Sequence, residues 1–297
     1  MNILRGKTKT SSIHRSMDTS QKAVPPIAVI RDEELLKDAE SIVYKRTDQG
    51  ELTLHCFYPE NHSENDHRSA IILFHGGLWD QSMATQFVPQ ALNFVALGAV
   101  GIVAEYRTSA QHGCDPTDAI ADAQTAILWL RKNNRYLGVD PEKIIAGGSG
   151  SGAHLALCAA MHKKVENDGF FSGAPNALIL WSAIVDTTKR GVGHDHFTNK
   201  RDARRSSPTK NIRRKLPPMI FFHGNEDPTV PVASVEKFCQ RLTSKRNVAR
   251  FVPFTRATHS FFNFNVNQNY FVQTLESAEG FLTDQGFLNP SDSSHLS

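Results

Sequence analysis

The stretch Gly147-Gly148-Ser149-Gly150-Ser151-Gly152-Ala153-His154 sets two hydroxyls among four glycines. It lies between the apolar run Ile144-Ile145-Ala146 and the helix-like Leu155-Ala156-Leu157-Cys158-Ala159-Ala160-Met161. That order reads as strand, tight corner and helix, the setting a G-x-S-x-G nucleophile turn requires. A serine in such a turn is held in a strained, positive-φ conformation, and small flanking residues let strand and helix approach closely. Its hydroxyl stands at a helix N-terminus, where backbone N–H groups and the helix dipole favour a developing oxyanion. Two further residues fit the same chemistry. Asp227 follows the strand-like Met219-Ile220-Phe221-Phe222, at the carboxyl end of a sheet strand where ligand sites collect. His259 follows the strand-like run from Val248 to Phe254. Corner, then Asp, then His is a chain order in which an acid orients a base toward a nucleophile.

Other blocks accompany these residues: Phe74-His75-Gly76-Gly77-Leu78-Trp79, then Glu105-Tyr106-Arg107, then Asp122 to Lys143 with its Asp140-Pro141 turn. Phe222-His223-Gly224-Asn225-Glu226-Asp227-Pro228-Thr229-Val230-Pro231 and Ala257-Thr258-His259-Ser260-Phe261-Phe262-Asn263 complete the set. In this order, over about Ser41 to Leu288, they resemble the hormone-sensitive-lipase and acetyl-esterase branch of the α/β-hydrolase family, acetylxylan-esterase-like members included. The resemblance implies a carboxylic ester hydrolase acting on small acyl or acetyl esters through a Ser/His/Asp mechanism. It makes Asp227 the triad acid and His259 the base. It also implies that the backbone N–H groups of Gly76, Gly77 and Ser151 form the oxyanion hole, and we expect Trp79 as a pocket wall. Leu78 stands where the family often has a third glycine. His75 and His223 read as structural, and no metal or organic cofactor is implied.

The corner departs from the family. Its nucleophile falls ten residues after the Asp-Pro aspartate and four before the helix histidine, and counting from Asp140 and from His154 both land on Gly150. Three readings stay open. The corner shifts so that Ser151, or less directly Ser149, becomes the nucleophile, and Ser151 is the residue we expect. Alternatively Gly150 is real, and His259 with Asp227 acts as a general base in its own right. In the third, catalysis is lost and the pocket binds.

The elements that must position these residues alternate. A leading hairpin, Ile42-Val43-Tyr44 with Leu52 to Tyr58, turns at Asp48-Gln49-Gly50. Strands are expected at Ala70 to Phe74, Val100 to Tyr106, Ile144 to Gly147, Ala177 to Trp181, Met219 to Phe222 and Arg250 to Phe254. Helices are expected at Ala84 to Leu97, Thr117 to Asn133, Gly152 to Lys163, Ala233 to Thr243 and Tyr270 to Gln285. Such alternation predicts an α/β fold, a mainly parallel sheet covered on both faces with an N-terminal antiparallel hairpin.

With 297 residues, 40% hydrophobic and 21% charged, the chain can bury one large core. We expect a polar N-terminal tail over 1–40, one domain over 41–288 and a C-terminal tail over 289–297. The start of the chain has no apolar h-region and no segment reads as a membrane span. The four cysteines lack disulfide or zinc spacing, so a cytoplasmic setting is expected. From Thr187 to Lys215, ten Lys or Arg face Asp195 and Asp202, a local charge of +8 against +3 for the whole chain. This 187–215 stretch reads as a basic loop insertion near the site. Without interleaved aromatics it does not suggest base stacking, so no nucleic-acid partner is expected. The expected substrate is a small ester such as an acetylated carbohydrate, and an anionic one, acidic or sulfated, if the loop faces the pocket.

Overall fold

The computed structural model describes residues 27–162, 167 and 169–289, the side chains of 27–30 excepted. Helix α1 (Ile27–Leu36) precedes the hairpin β1 (Glu40–Thr47) and β2 (Gly50–Phe57). Then follow β3 (Arg68–Phe74), α2 (Val88–Ala96), β4 (Val100–Ala104), the short α3 (Ser109–His112) and α4 (Pro116–Lys132). The second half comprises β5 (Val139–Ser149), α5 (Ser151–Met161), β6 (Ala177–Trp181), the short α6 (Lys200–Arg205), β7 (Met219–Gly224), α7 (Val232–Ser244), β8 (Ala249–Phe254) and α8 (Gln268–Asp284).

The eight strands form one sheet in the order β1-β2-β4-β3-β5-β6-β7-β8. β1–β2 and β2–β4 pair antiparallel, and every other neighbour pair is parallel. This is the expected architecture of a parallel sheet with a leading hairpin. Because side chains alternate along a strand, β3 sends Ala70, Ile72 and Phe74 to one core and Ile71 and Leu73 to the other. The first core is closed by α4, α5 and α7, and the second by α2 and α8.

The expected elements all form, with shifted ends. β5 is longer than Ile144 to Gly147 because Val139 already pairs with Arg68 across a bulge. The helix expected over Ala84 to Leu97 opens with a 3₁₀ turn at Ala84–Phe87, and proline enters as α2 begins. The expectation of a tail over 1–40 is corrected by α1, whose Leu35 and Leu36 pack on the second core. Positions 1–26 of that tail, Lys163 and 290–297 lie outside the described residues. Among the described residues no helix is long and apolar enough to cross a membrane.

Candidate active site

Three parallel strands aim their carboxyl ends at one place. β5 runs into the corner, and α5 begins at Ser151 with Gly150 as its N-cap, at φ 51° and ψ −111°. A side chain rarely adopts that conformation, and it is the strained one a nucleophile turn imposes. The corner is tight because α5 meets the end of β3. A Cβ on Gly152 would collide with the Phe74 carbonyl oxygen. The N–H of Gly150 donates to the Trp181 carbonyl at 3.1 Å, and its own carbonyl accepts from His154 at 3.1 Å and Ile184 at 3.3 Å.

Asp227 sits in the loop after β7 with its side chain buried. One carboxylate oxygen accepts from the N–H groups of Thr229 (2.8 Å) and Val230 (2.9 Å). The other lies 2.8 Å from His259 Nδ1 and 3.2 Å from His223 Nε2. Burial alone would raise this carboxyl, but hydrogen bonds from His223, His259 and Val230 overcome it and hold Asp227 ionised well below the usual carboxylate range. An ionised carboxylate only accepts, so His259 Nδ1 carries the proton and Nε2 presents its lone pair. His223 Nε2 also faces the Val230 carbonyl at 2.9 Å, which fixes its proton there and makes it a support for Asp227. The loops carrying acid and base are tied together by Glu226 N–H to the Ala257 carbonyl at 3.0 Å. Ser182 Oγ donates to the His259 carbonyl at 2.7 Å.

The base faces position 150. A Cβ built on Gly150 would stand 3.2 Å from His259 Nε2, with Cε1 next at 3.7 Å. Position 150, rather than the expected Ser151, is the one whose Cβ would meet the base. Ser151 is the first residue of α5 and fully buried, with its Oγ on the side of the Tyr106 hydroxyl. A helix turns about 100° per residue, so the side chain one position past the corner leaves the direction of His259. Ser149 Oγ instead donates to Gln86 Oε1 at 3.3 Å and lies beside Gly76.

The oxyanion loop also differs from expectation in one donor. Gly76 N–H is already committed to Gln86 Oε1 at 2.7 Å. By contrast, the N–H groups of Gly77, Leu78 and Ser151 meet no acceptor among the described residues. Leu78 and Trp79 both have positive φ, 54° and 59°, so the loop is turned to present successive N–H groups. It is fastened beneath by Tyr106, whose hydroxyl donates to the His75 carbonyl at 2.9 Å and whose ring stacks on His75 at 4.2 Å. Complete burial pushes His75 down to about 4, so it is a neutral structural group. Trp79, expected as a pocket wall, is 1% exposed and packs edge-on against His154 at 5.0 Å. It braces the loop from within, and Leu78, 37% exposed, faces outward. Sequence reasoning missed Gln86, because one glutamine in an amphipathic stretch carries no local signal of the loop it pins.

A carboxylate-oriented imidazole, a strained corner and free backbone donors are what acyl transfer needs, and several relatives of the chain are esterases. The family model BD-FAE matches residues 54–189. A thermophilic esterase from the planctomycete Thermogutta terrifontis, solved with propionate bound, is 37% identical and superposes with a TM-score of 0.81, covering 86% of this chain and 97% of that one. The same esterase phosphonylated by sarin is 36% identical at a TM-score of 0.81, covering 86% and 98%. Esterase LipQ of Mycobacterium tuberculosis is 29% identical over 56% of this chain and 44% of its own length. Isoprenylcysteine alpha-carbonyl methylesterase of Arabidopsis thaliana is 24% identical over 74% and 56%. The chain thus spans about half the length of the curated relatives it matches. With nearly the whole of a solved esterase covered at more than a third identity, and with the fold and loops described above, the chain belongs to the esterase family of the α/β hydrolases.

Proposed function

We propose that this chain hydrolyses small carboxylic esters with His259 as a general base acting on water, Asp227 orienting it, and no acyl-enzyme intermediate. The observation that carries the reading is the 3.2 Å approach of a Gly150 Cβ to His259 Nε2. The base is aimed at the corner, and the corner residue has no hydroxyl. In the reaction the water oxygen bonds to the ester carbonyl carbon while one of its protons passes to His259 Nε2. The carbonyl oxygen becomes an oxyanion on the N–H groups of Gly77, Leu78 and Ser151. Collapse of the tetrahedral species breaks the bond to the alcohol oxygen, which takes the proton back from His259. The products are the carboxylic acid and the alcohol, with the base restored.

The natural alcohol we favour is a sugar, since the resemblance is to acetyl esterases, and a chromogenic acetate is the first probe of the acyl side. All four cysteines are free thiols, which supports a reducing, cytoplasmic setting. The test is p-nitrophenyl acetate turnover by the wild type, His259→Ala, Ser149→Ala and Ser151→Ala, with fluorophosphonate labelling read by intact mass. We expect turnover to fall at least about 100-fold in His259→Ala, to persist in both serine variants, and no protein to be labelled. A fluorophosphonate adduct lost in one serine variant would replace this reading by a covalent one. Turnover equal in wild type and His259→Ala would remove the site from ester hydrolysis altogether.

A further inference from the structure

The connection between β6 and β7 carries ten of the 33 Lys and Arg residues of the chain, and the fold does not let them disperse. Phe197 and Ala203 are buried, and Phe197 packs on Trp79 at 5.9 Å. Ser207 Oγ donates to Asp186 at 2.9 Å and lies 2.8 Å from the Thr209 hydroxyl. Asn199 caps α6 through Arg201 N–H. On this anchored frame, Lys189, Arg190, Lys200, Arg204, Lys210 and His194 border a surface concavity of about 460 Å³, with Thr188 contributing a hydroxyl.

Two carboxylates come near. Lys200 Nζ lies 3.3 Å from Asp195, and Asp186, whose carboxyl burial would raise, is held below the ordinary range by hydrogen bonds from Thr188 and Ser207, with Lys210 adding a smaller attraction. Lys189, Arg190 and Arg204 have no ion pair among the described residues. Screening at physiological salt acts over about 8 Å, so cations sharing one small concavity repel one another, and a multiply charged anion relieves that repulsion. Arginine forks and lysine ammoniums together match tetrahedral oxyanions. No aromatic residue but His194 lines the concavity, which disfavours base stacking.

We propose that this concavity binds sulfate or phosphate oxyanions, free or carried as an ester on the alcohol half of the substrate. The substrate source rests on the ester-hydrolase reading above. The connection that carries these cations also touches the site, with Gly193 against the Trp79 ring and Ile184 N–H bonded to the Gly150 carbonyl.

The experiment is calorimetric titration of the full chain with pyrophosphate and with inorganic sulfate at constant ionic strength set by sodium chloride. The expected result is saturable binding weakened at least tenfold in Lys189→Glu/Arg204→Glu. A variant with the same charge change on α7, Lys237→Glu/Arg241→Glu, keeps the wild-type affinity. Equal affinity in the two double variants, or no saturable binding by the wild type, overturns the proposal. If the pocket double variant fails to fold, Lys189→Ala and Arg190→Ala, whose side chains are exposed, replace it with the same reading. Comparing kcat/KM for an acetylated glucose 6-sulfate and for acetylated glucose separates the sources. A tenfold preference lost in the pocket variant supports a substrate anchor, and binding without preference supports a free-anion site. Binding without any turnover leaves this site standing and ends the ester-hydrolase reading.

Discussion

Gly150 decides what the site does, and restoring a hydroxyl there measures how much of the machinery waits for one. In Gly150→Ser the new Cβ would enter at 3.2 Å from His259 Nε2, a contact that a loop histidine with 28% side-chain exposure can relieve by a small shift. We expect this variant to take up one fluorophosphonate at residue 150, with the wild type unlabelled. The strained backbone then carries a side chain, so unfolding free energy falls by about 1–3 kcal/mol, read by urea titration. An unlabelled Gly150→Ser with intact fold would mean that His259 does not activate the corner. At this scale the sequence was partly legible. Asp227 and His259 stood in blocks with their own signatures. The counts from Asp140 and His154 landed on Gly150, yet the preference for a hydroxyl drew the nucleophile to Ser151. Which loop N–H groups are left unspent is not legible in the sequence, because a backbone N–H leaves no trace in residue type. Only the bond from Gly76 N–H to Gln86 shows which donor is spent.

Elements hold these few atoms, and the 3₁₀ turn at Ala84–Phe87 is the pin among them. Gln86 Oε1 accepts from Gly76 N–H at 2.7 Å and from Ser149 Oγ at 3.3 Å, while Nε2 donates to Asn263 at 3.4 Å. One amide thus joins the oxyanion loop, the end of β5 and the loop that follows His259. In Gln86→Ala the buried Gly76 N–H loses its acceptor, a cost of about 1–3 kcal/mol in stability. The loop donors lose their placement, which lowers kcat/KM by as much as about 100-fold. The check is ester turnover beside Gln86→Glu, which keeps the acceptor and should recover most of the rate. Equal rates in Gln86→Ala and wild type would show that the loop holds itself. Strands and long helices were legible because their apolar periods are strong. α1 was not, since among its described side chains only the last leucines reach the core, and α6 is too short to show a period.

For the whole molecule, parallel strands and two-sided burial follow from strand–helix alternation, while the acid response follows from packing that no period reveals. Burial pushes His75 down to about 4 and His154 down to about 3, and both are essentially inaccessible. In the unfolded chain a histidine titrates near 6.5. Between about 6.5 and 4 the unfolded state therefore binds more protons than the folded one, and stability falls as pH falls. Each histidine contributes about 1 kcal/mol per pH unit across that window. Asp227, depressed in the fold, adds a loss only at lower pH, once the pH drops through the ordinary carboxylate range toward its folded value. Urea unfolding at pH 8, 6.5, 5 and 4 should thus show a plateau above neutrality and a descent beginning near 6.5, well before carboxylates titrate. His154→Gln, which cannot take up that proton, should be less stable at pH 8 and lose less between 6.5 and 4. A wild-type curve flat from 6.5 to 4 would mean that these two imidazoles are protonated within the fold, and the neutral brace assigned to His75 beneath the oxyanion loop would fall with it.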